Sequence, residues 1–208
     1  MSAITLCTDF EVVGKSLADV RRQYARSVED LPFLEAQRWN RARDAYNCYR
    51  YAINIKRVWL GATQSLLPGH LDLLKHLIGQ GERKAERLAE YYKRMADLPY
   101  DENFQSYVGT IVENIKSDGL QPMGLNFSLR AGGFPMTLFL SSLKDAAIND
   151  FHWYTLRRDS SGQAVWTCKH PDIKVQVFDD EAGVINDAQT KKYLHFAGYF
   201  FRPDNLDY

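Results

Sequence analysis

The sequence predicts an α+β fold, with helices first and an antiparallel sheet after them, on three observations. Up to about Ser117 the apolar residues recur every three or four positions, the period of a helix. Beyond Gly119 they fall into short runs rich in aromatic and β-branched residues, some strictly alternating. Those runs are joined by hairpin-type turns rather than helical crossovers, so the strands are antiparallel and the helices form a separate layer. The 208 residues suffice for one core, and no linker divides them, so a single domain over 1–208 is expected.

The elements follow in order. Leu17, Val20, Tyr24 and Val28 mark a first helix, and a second begins near Leu34 and carries Trp39 and Ala42. A third runs from Cys48 through Tyr51, Ala52, Ile55 and Trp59 and stops near Gly61. Pro68 and Gly69 make a turn, residues 70–78 a short helix, and residues 82–97 a charged amphipathic helix closed by Pro99. The helix over 101–117 turns Phe104, Tyr107, Val108, Ile111 and Ile115 to one face, and Gly119 suits its C-terminal cap. Strands are expected over 134–141, 150–157, 164–169, 173–178 and 195–202. The cluster Asp159-Ser160-Ser161-Gly162 forms a hairpin turn; Gly183 and Asn186-Asp187 mark further turns.

Lys+Arg and Asp+Glu are both 26, so bulk charge does not recommend a nucleic-acid partner. The three cysteines are too few and too odd in number for a disulfide framework. No apolar run reaches the about 18 residues of a membrane span. No N-terminal basic cluster precedes an apolar stretch, so synthesis in the cytoplasm without a standard signal peptide is expected, with any export through a specialised secretion system.

The chemistry-bearing pair is Cys48 and His152. Asn47 is a good N-cap, which places Cys48 in the first turn of a helix. Unpaired N–H groups there lower a thiol's pKa and can form part of an oxyanion hole. His152 lies inside a strand, sharing a face with Tyr154, while Phe151 and Trp153 take the other. A thiol and an imidazole within roughly 3–5 Å make a nucleophile and its general base. The hairpin at 159–162 brings residues near 168–171 opposite His152, so His170 is the first choice to orient the imidazole, followed by Asp172 and then Asp179. Tyr49, Tyr51, Trp153 and Tyr154 are candidates to line a substrate cleft, and Asn47, beside the nucleophile, is a further candidate contact.

The run Asn47-Cys48-Tyr49-Arg50-Tyr51-Ala52-Ile53-Asn54 resembles the Asn-Cys-Tyr-x-Tyr-Ala-Leu-Asn signature of small bacterial papain-like cysteine hydrolases, near the cell-wall amidases and endopeptidases of that superfold. Pro68-Gly69, Asp118-Gly119, Phe134–Ser141, His152-Trp153-Tyr154, Gly162, Trp166-Thr167-Cys168-Lys169, Asp179-Asp180 and Gly198-Tyr199-Phe200 follow in the same order. The resemblance covers about residues 46–202. Such sequences often carry a histidine where this chain has Cys168, which leaves the third catalytic position open. Residues 70–97 look like a helical insertion and residues 1–45 like a helical extension, to which specificity or partner binding would fall. The resemblance implies a papain-like architecture with N-terminal helices packed on a C-terminal sheet. It further implies a cysteine peptidase or amidase acting on a peptide or peptidoglycan amide with no metal or cofactor. Combined with the missing signal, it suggests an antibacterial effector with an immunity or secretion-system partner. Two alternatives stay open: a protein-directed protease, deamidase or transglutaminase, and a non-catalytic binding module such as an immunity or adaptor protein.

Other constellations are weaker. A zinc site from Cys168, His170 and His195 matches no common ligand spacing. His70 and His76 are six apart and fall on different faces of a helix. Gly132-Gly133 lacks the lysine of a phosphate loop.

Overall fold

The computed structural model describes residues 10–40, 47–55, 66–69, 71–72, 104–124, 128, 130–143, 148–171 and 173–206. The expected helix over 82–97, most of that over 70–78, His70, His76 and Asp172 lie outside them. Among the described residues, the α-helices include α1 (Phe10–Tyr24), α2 (Ala36–Asn40), α3 (Cys48–Ala52), α4 (Phe104–Ser117) and α5 (Glu181–Thr190), and a 3-10 helix over Ala25–Asp30 follows α1. The strands are β1 (Gln121–Met123), β2 (Gly133–Leu143), β3 (Ile148–Arg158), β4 (Ala164–Cys168), β5 (Gln176–Phe178) and β6 (His195–Pro203). The described strands form one six-stranded sheet in the order β1-β6-β2-β3-β4-β5, with every pairing antiparallel. The α+β class read from the sequence is therefore present.

The hairpin between β3 and β4 sets the register that matters most. Asp159 accepts hydrogen bonds from the amides of Ser161 (2.9 Å) and Gln163 (2.8 Å), and Gly162 takes the left-handed φ of 81° that the turn needs. Tyr154 then faces Cys168, and Leu156 faces Trp166. The pairing stops at Cys168, so β3 runs on past the end of its neighbour.

Helices cover both faces of this hairpin. On one face, the ring of Tyr49 packs 5.5 Å from Trp153, and the Tyr51 hydroxyl donates to Thr167 Oγ1 at 2.8 Å. Those contacts lay α3 on the side of β3 that carries Trp153, Thr155 and Arg157. On the opposite face, the Trp166 indole donates to the Leu17 carbonyl of α1 at 3.4 Å, and Tyr154 donates to Asp187 of α5 at 2.8 Å. Arg21 of α1 and Glu181 of α5 form an ion pair at 2.8 Å.

Two local expectations change. Within the described residues α3 ends at Ala52, with Ile53 as its C-cap and Asn54 at a φ of 60°, so this helix is one short turn; Trp59 and Gly61, which the expected longer helix included, lie outside the described residues. The turns expected at Gly183 and Asn186-Asp187 are instead the body of α5. Asp180 caps it by accepting from the Gly183 amide at 2.8 Å, and Val184 and Ala188, four apart, bury its inner side. Residues of α1 also enter the common core, through Leu17, Val20 and Tyr24. The C-terminus of α4 is as read, since Gly119 (φ 89°) donates to Lys116 and Leu120 donates to Ile115, the double bond of a Schellman cap.

Candidate active site at the end of strand β3

Asn47 caps α3 as its sequence position suggested. Its Oδ1 accepts from the Arg50 amide at 3.0 Å, and its Nδ2 donates to the Leu66 carbonyl at 2.6 Å. Both ends of this amide are used within the protein, where they hold α3 in place. Cys48 is the first residue of α3, and its thiol lies 3.7 Å from the Phe151 carbonyl, on the stretch of β3 beyond the end of β4. The Trp153 amide also points at the sulfur. The nucleophile candidate therefore rests on the edge of β3, against the peptide groups on either side of His152.

The electrostatics correct one expectation. Burial pushes the Cys48 thiol up to about 12, and the Asp150 carboxylate adds to the rise. The N–H groups of Cys48, Tyr49 and Trp153 pull the other way and lose. A five-residue helix offers little dipole, and removing a thiolate from water costs more than three amide dipoles return. The resting group is a thiol.

His152 is 1% exposed. Its ring is stacked on His170 (centroids 3.9 Å apart, planes within 3°) and lies 5.2 Å from the ring of Tyr193, with Tyr154 edge-on at 5.0 Å. Burial, then the neighbouring His170 and Lys191, hold its pKa well below the usual imidazole value, so the ring is neutral. Its Nε2 is buried without a hydrogen-bond partner.

His170 thus reaches His152, as the hairpin register predicts, but by ring stacking rather than by an orienting hydrogen bond. Its Nε2 is 3.3 Å from Asp187 Oδ2, the same oxygen that accepts from Tyr154. Burial opposes the charge of Asp187, yet the bonds from His170 and Tyr154 hold its pKa below the usual carboxylate value. Asp179, the third choice for this role, lies at the exposed start of α5, where its carbonyl accepts from Arg21. Cys168 is fully buried, 3.6 Å from Gln176 Oε1 and 4.0 Å from Asp187 Oδ2. Burial and then Asp187 push its thiol well above the usual value. Among the described residues, ligand-type atoms of His152, Cys168, His170 and Asp187 all lie within 4.8 Å of one another. His195, at the start of β6 opposite Leu140, is not one of this group.

Of the residues expected to line a cleft, Tyr49 is fully buried and donates to Asp118 Oδ2 at 2.6 Å, and Trp153 and Tyr51 are equally enclosed. These rings are core. Tyr154 is buried too, and its hydroxyl serves Asp187. The sequence reading missed Asp187 and Tyr193. The available signal was the Asp180 cap with Val184 and Ala188 at helical spacing, which would have placed Asp187 on a helix beside the sheet rather than in a turn. No protein family, curated protein or solved structure matches this chain.

Proposed function

We propose that the protein is a thiol-dependent hydrolase of papain-like type, cleaving a peptide-type amide with Cys48 as nucleophile and His152 as base. One observation carries this reading: the sulfur at the start of an Asn47-capped helix lies 3.7 Å from the Phe151 carbonyl, on the peptide group next to His152, whose buried imidazole has an unpaired Nε2. His152 takes the thiol proton as sulfur attacks the carbonyl carbon. The N–H groups around the sulfur suit the oxyanion that forms. The same proton passes to the departing amine, and water resolves the thioester. His170 and Asp187 act as positioning residues, the first by stacking on the imidazole and the second by holding His170. A peptidoglycan stem is the substrate the sequence resemblance favours, with a protein peptide or side-chain amide as the alternative.

The test is hydrolysis of cell-wall fragments and of denatured protein by wild type, Cys48→Ser, Cys168→Ser and His152→Ala. Loss of all turnover in Cys48→Ser and His152→Ala, with melting temperature close to wild type for Cys48→Ser, is expected. Retained turnover in Cys48→Ser refutes the nucleophile assignment. Wild type inert on every substrate replaces the enzyme with a binding module, a reading that the high thiol pKa and the approach of α3 from the face opposite His152 would then explain.

A further inference from the structure

We propose that His152, Cys168, His170 and Asp187 bind a divalent transition-metal ion of the zinc class, tying β3, the end of β4 and α5 together. Two imidazoles, a thiol and a carboxylate are the donors such an ion prefers. They come from three elements, and all four residues are buried. The decisive observation is His152: it is 1% exposed, and its Nε2 has no hydrogen-bond partner. A buried ring nitrogen is rarely left so, because an unsatisfied polar atom costs free energy that a ligand would recover. Charge also balances, since a thiolate and a carboxylate cancel a dication in a largely buried site. The carboxylate is already aimed by the Tyr154 hydroxyl, the kind of outer contact that orients metal ligands.

Binding asks for a small rearrangement. The donor atoms spread over as much as 4.8 Å, whereas ligands around tetrahedral zinc sit about 3.3–3.8 Å apart. Parallel imidazoles cannot both direct an in-plane lone pair at one ion, so one ring must turn. His170 is the one free to do so, because it follows the last ladder pair at Cys168, and its bond to Asp187 would be exchanged for the metal. This site does not rest on the hydrolase reading; the two place opposite demands on His152, so an ion held here would keep that base occupied.

The experiment uses the full chain, stripped with chelator and titrated with Co2+ and then Zn2+. Expected is one saturable equivalent of Co2+ with a sulfur-to-metal charge-transfer band in the near ultraviolet, displaced by Zn2+. Cys168→Ser should abolish the band, His170→Gln should weaken affinity roughly tenfold or more, and Cys48→Ser should change neither. Near-ultraviolet circular dichroism checks each fold, and His170→Gln decides should Cys168→Ser not fold. Absence of saturable binding overturns the site. So does a band that survives Cys168→Ser, that disappears in Cys48→Ser, or that His170→Gln leaves unweakened. Because the readout is spectroscopic, an inert enzyme and an absent metal site give different results.

Discussion

Asp118 shows how a single buried group sets conditions for its surroundings. It follows α4 and is fully buried. Its carboxylate accepts from the Tyr49 hydroxyl (2.6 Å) and from the amides of Gly69 (2.7 Å) and Asp72 (2.9 Å), pinning α3 and the Pro68-Gly69 turn to the end of α4. Burial raises its pKa from 3.8 to about 6 despite those donors. The folded state therefore holds the proton more tightly than the unfolded chain. The contribution is fully present below pH about 4 and is lost as pH rises towards 6, on the order of 2–3 kcal/mol. Urea denaturation from pH 4 to 7 should show a component falling with pH, and Asp118→Asn, which cannot titrate, should flatten it. An unchanged slope in that variant would assign the effect elsewhere. Asp118 was read in the sequence only as part of an Asp-Gly helix end; its reach to Tyr49 spans 69 positions and no local pattern carries it.

At the level of elements, β6 pairs with β2, one of the two central strands of the sheet, and Gly133 opens that ladder. A Cβ at Gly133 would lie 2.2 Å from the Arg202 carbonyl oxygen and 2.5 Å from the Phe201 ring. A backbone oxygen cannot step aside without breaking the ladder. Gly133→Ala should cost about 1–3 kcal/mol or more, as overpacking does. Gly132→Ala meets open space but a φ of 73°, so it should cost about 1–2 kcal/mol from backbone strain alone. Urea midpoints of the two variants check the ranking, and equal midpoints would contradict it. Strands β2, β3, β4 and β6 were legible because alternation and turn residues are local signals. Helix α5 was missed because Gly183 and Asn186-Asp187 resemble turn chemistry, and only docking of Val184 and Ala188 against the sheet decides for helix.

For the whole molecule, the question is whether the N-terminal helices are dispensable. Leu17, Val20, Tyr24 and Trp39 are at most 1% exposed, and the Trp166 indole of β4 bonds to the Leu17 carbonyl. Through Arg21 and Glu181, α1 also holds α5, which carries Asp187. A chain beginning after residue 45 should therefore lose cooperative unfolding and near-ultraviolet circular dichroism. Leu17→Ala should cost about 2–5 kcal/mol, the usual range for a fully enclosed leucine. A truncated chain that still unfolds in one sharp transition would show that the rest of the fold stands without these helices.

By itself the sequence determined the α+β class, the hairpin register that sets His170 against His152, and the Asn47 cap that puts Cys48 at the start of a helix. Each rests on residues a few positions apart, whose backbone preferences act before the chain is folded. The tertiary structure alone decided the rest. It brought Asp187 and Tyr193 to the imidazoles, enclosed Tyr49 and Tyr154 in the core, and laid α3 on the face of β3 opposite the His152 ring. It also set the protonation state of Cys48, because the desolvation that outweighs the helix N–H groups comes from every element packed around the sulfur, and no spacing within the chain encodes that sum.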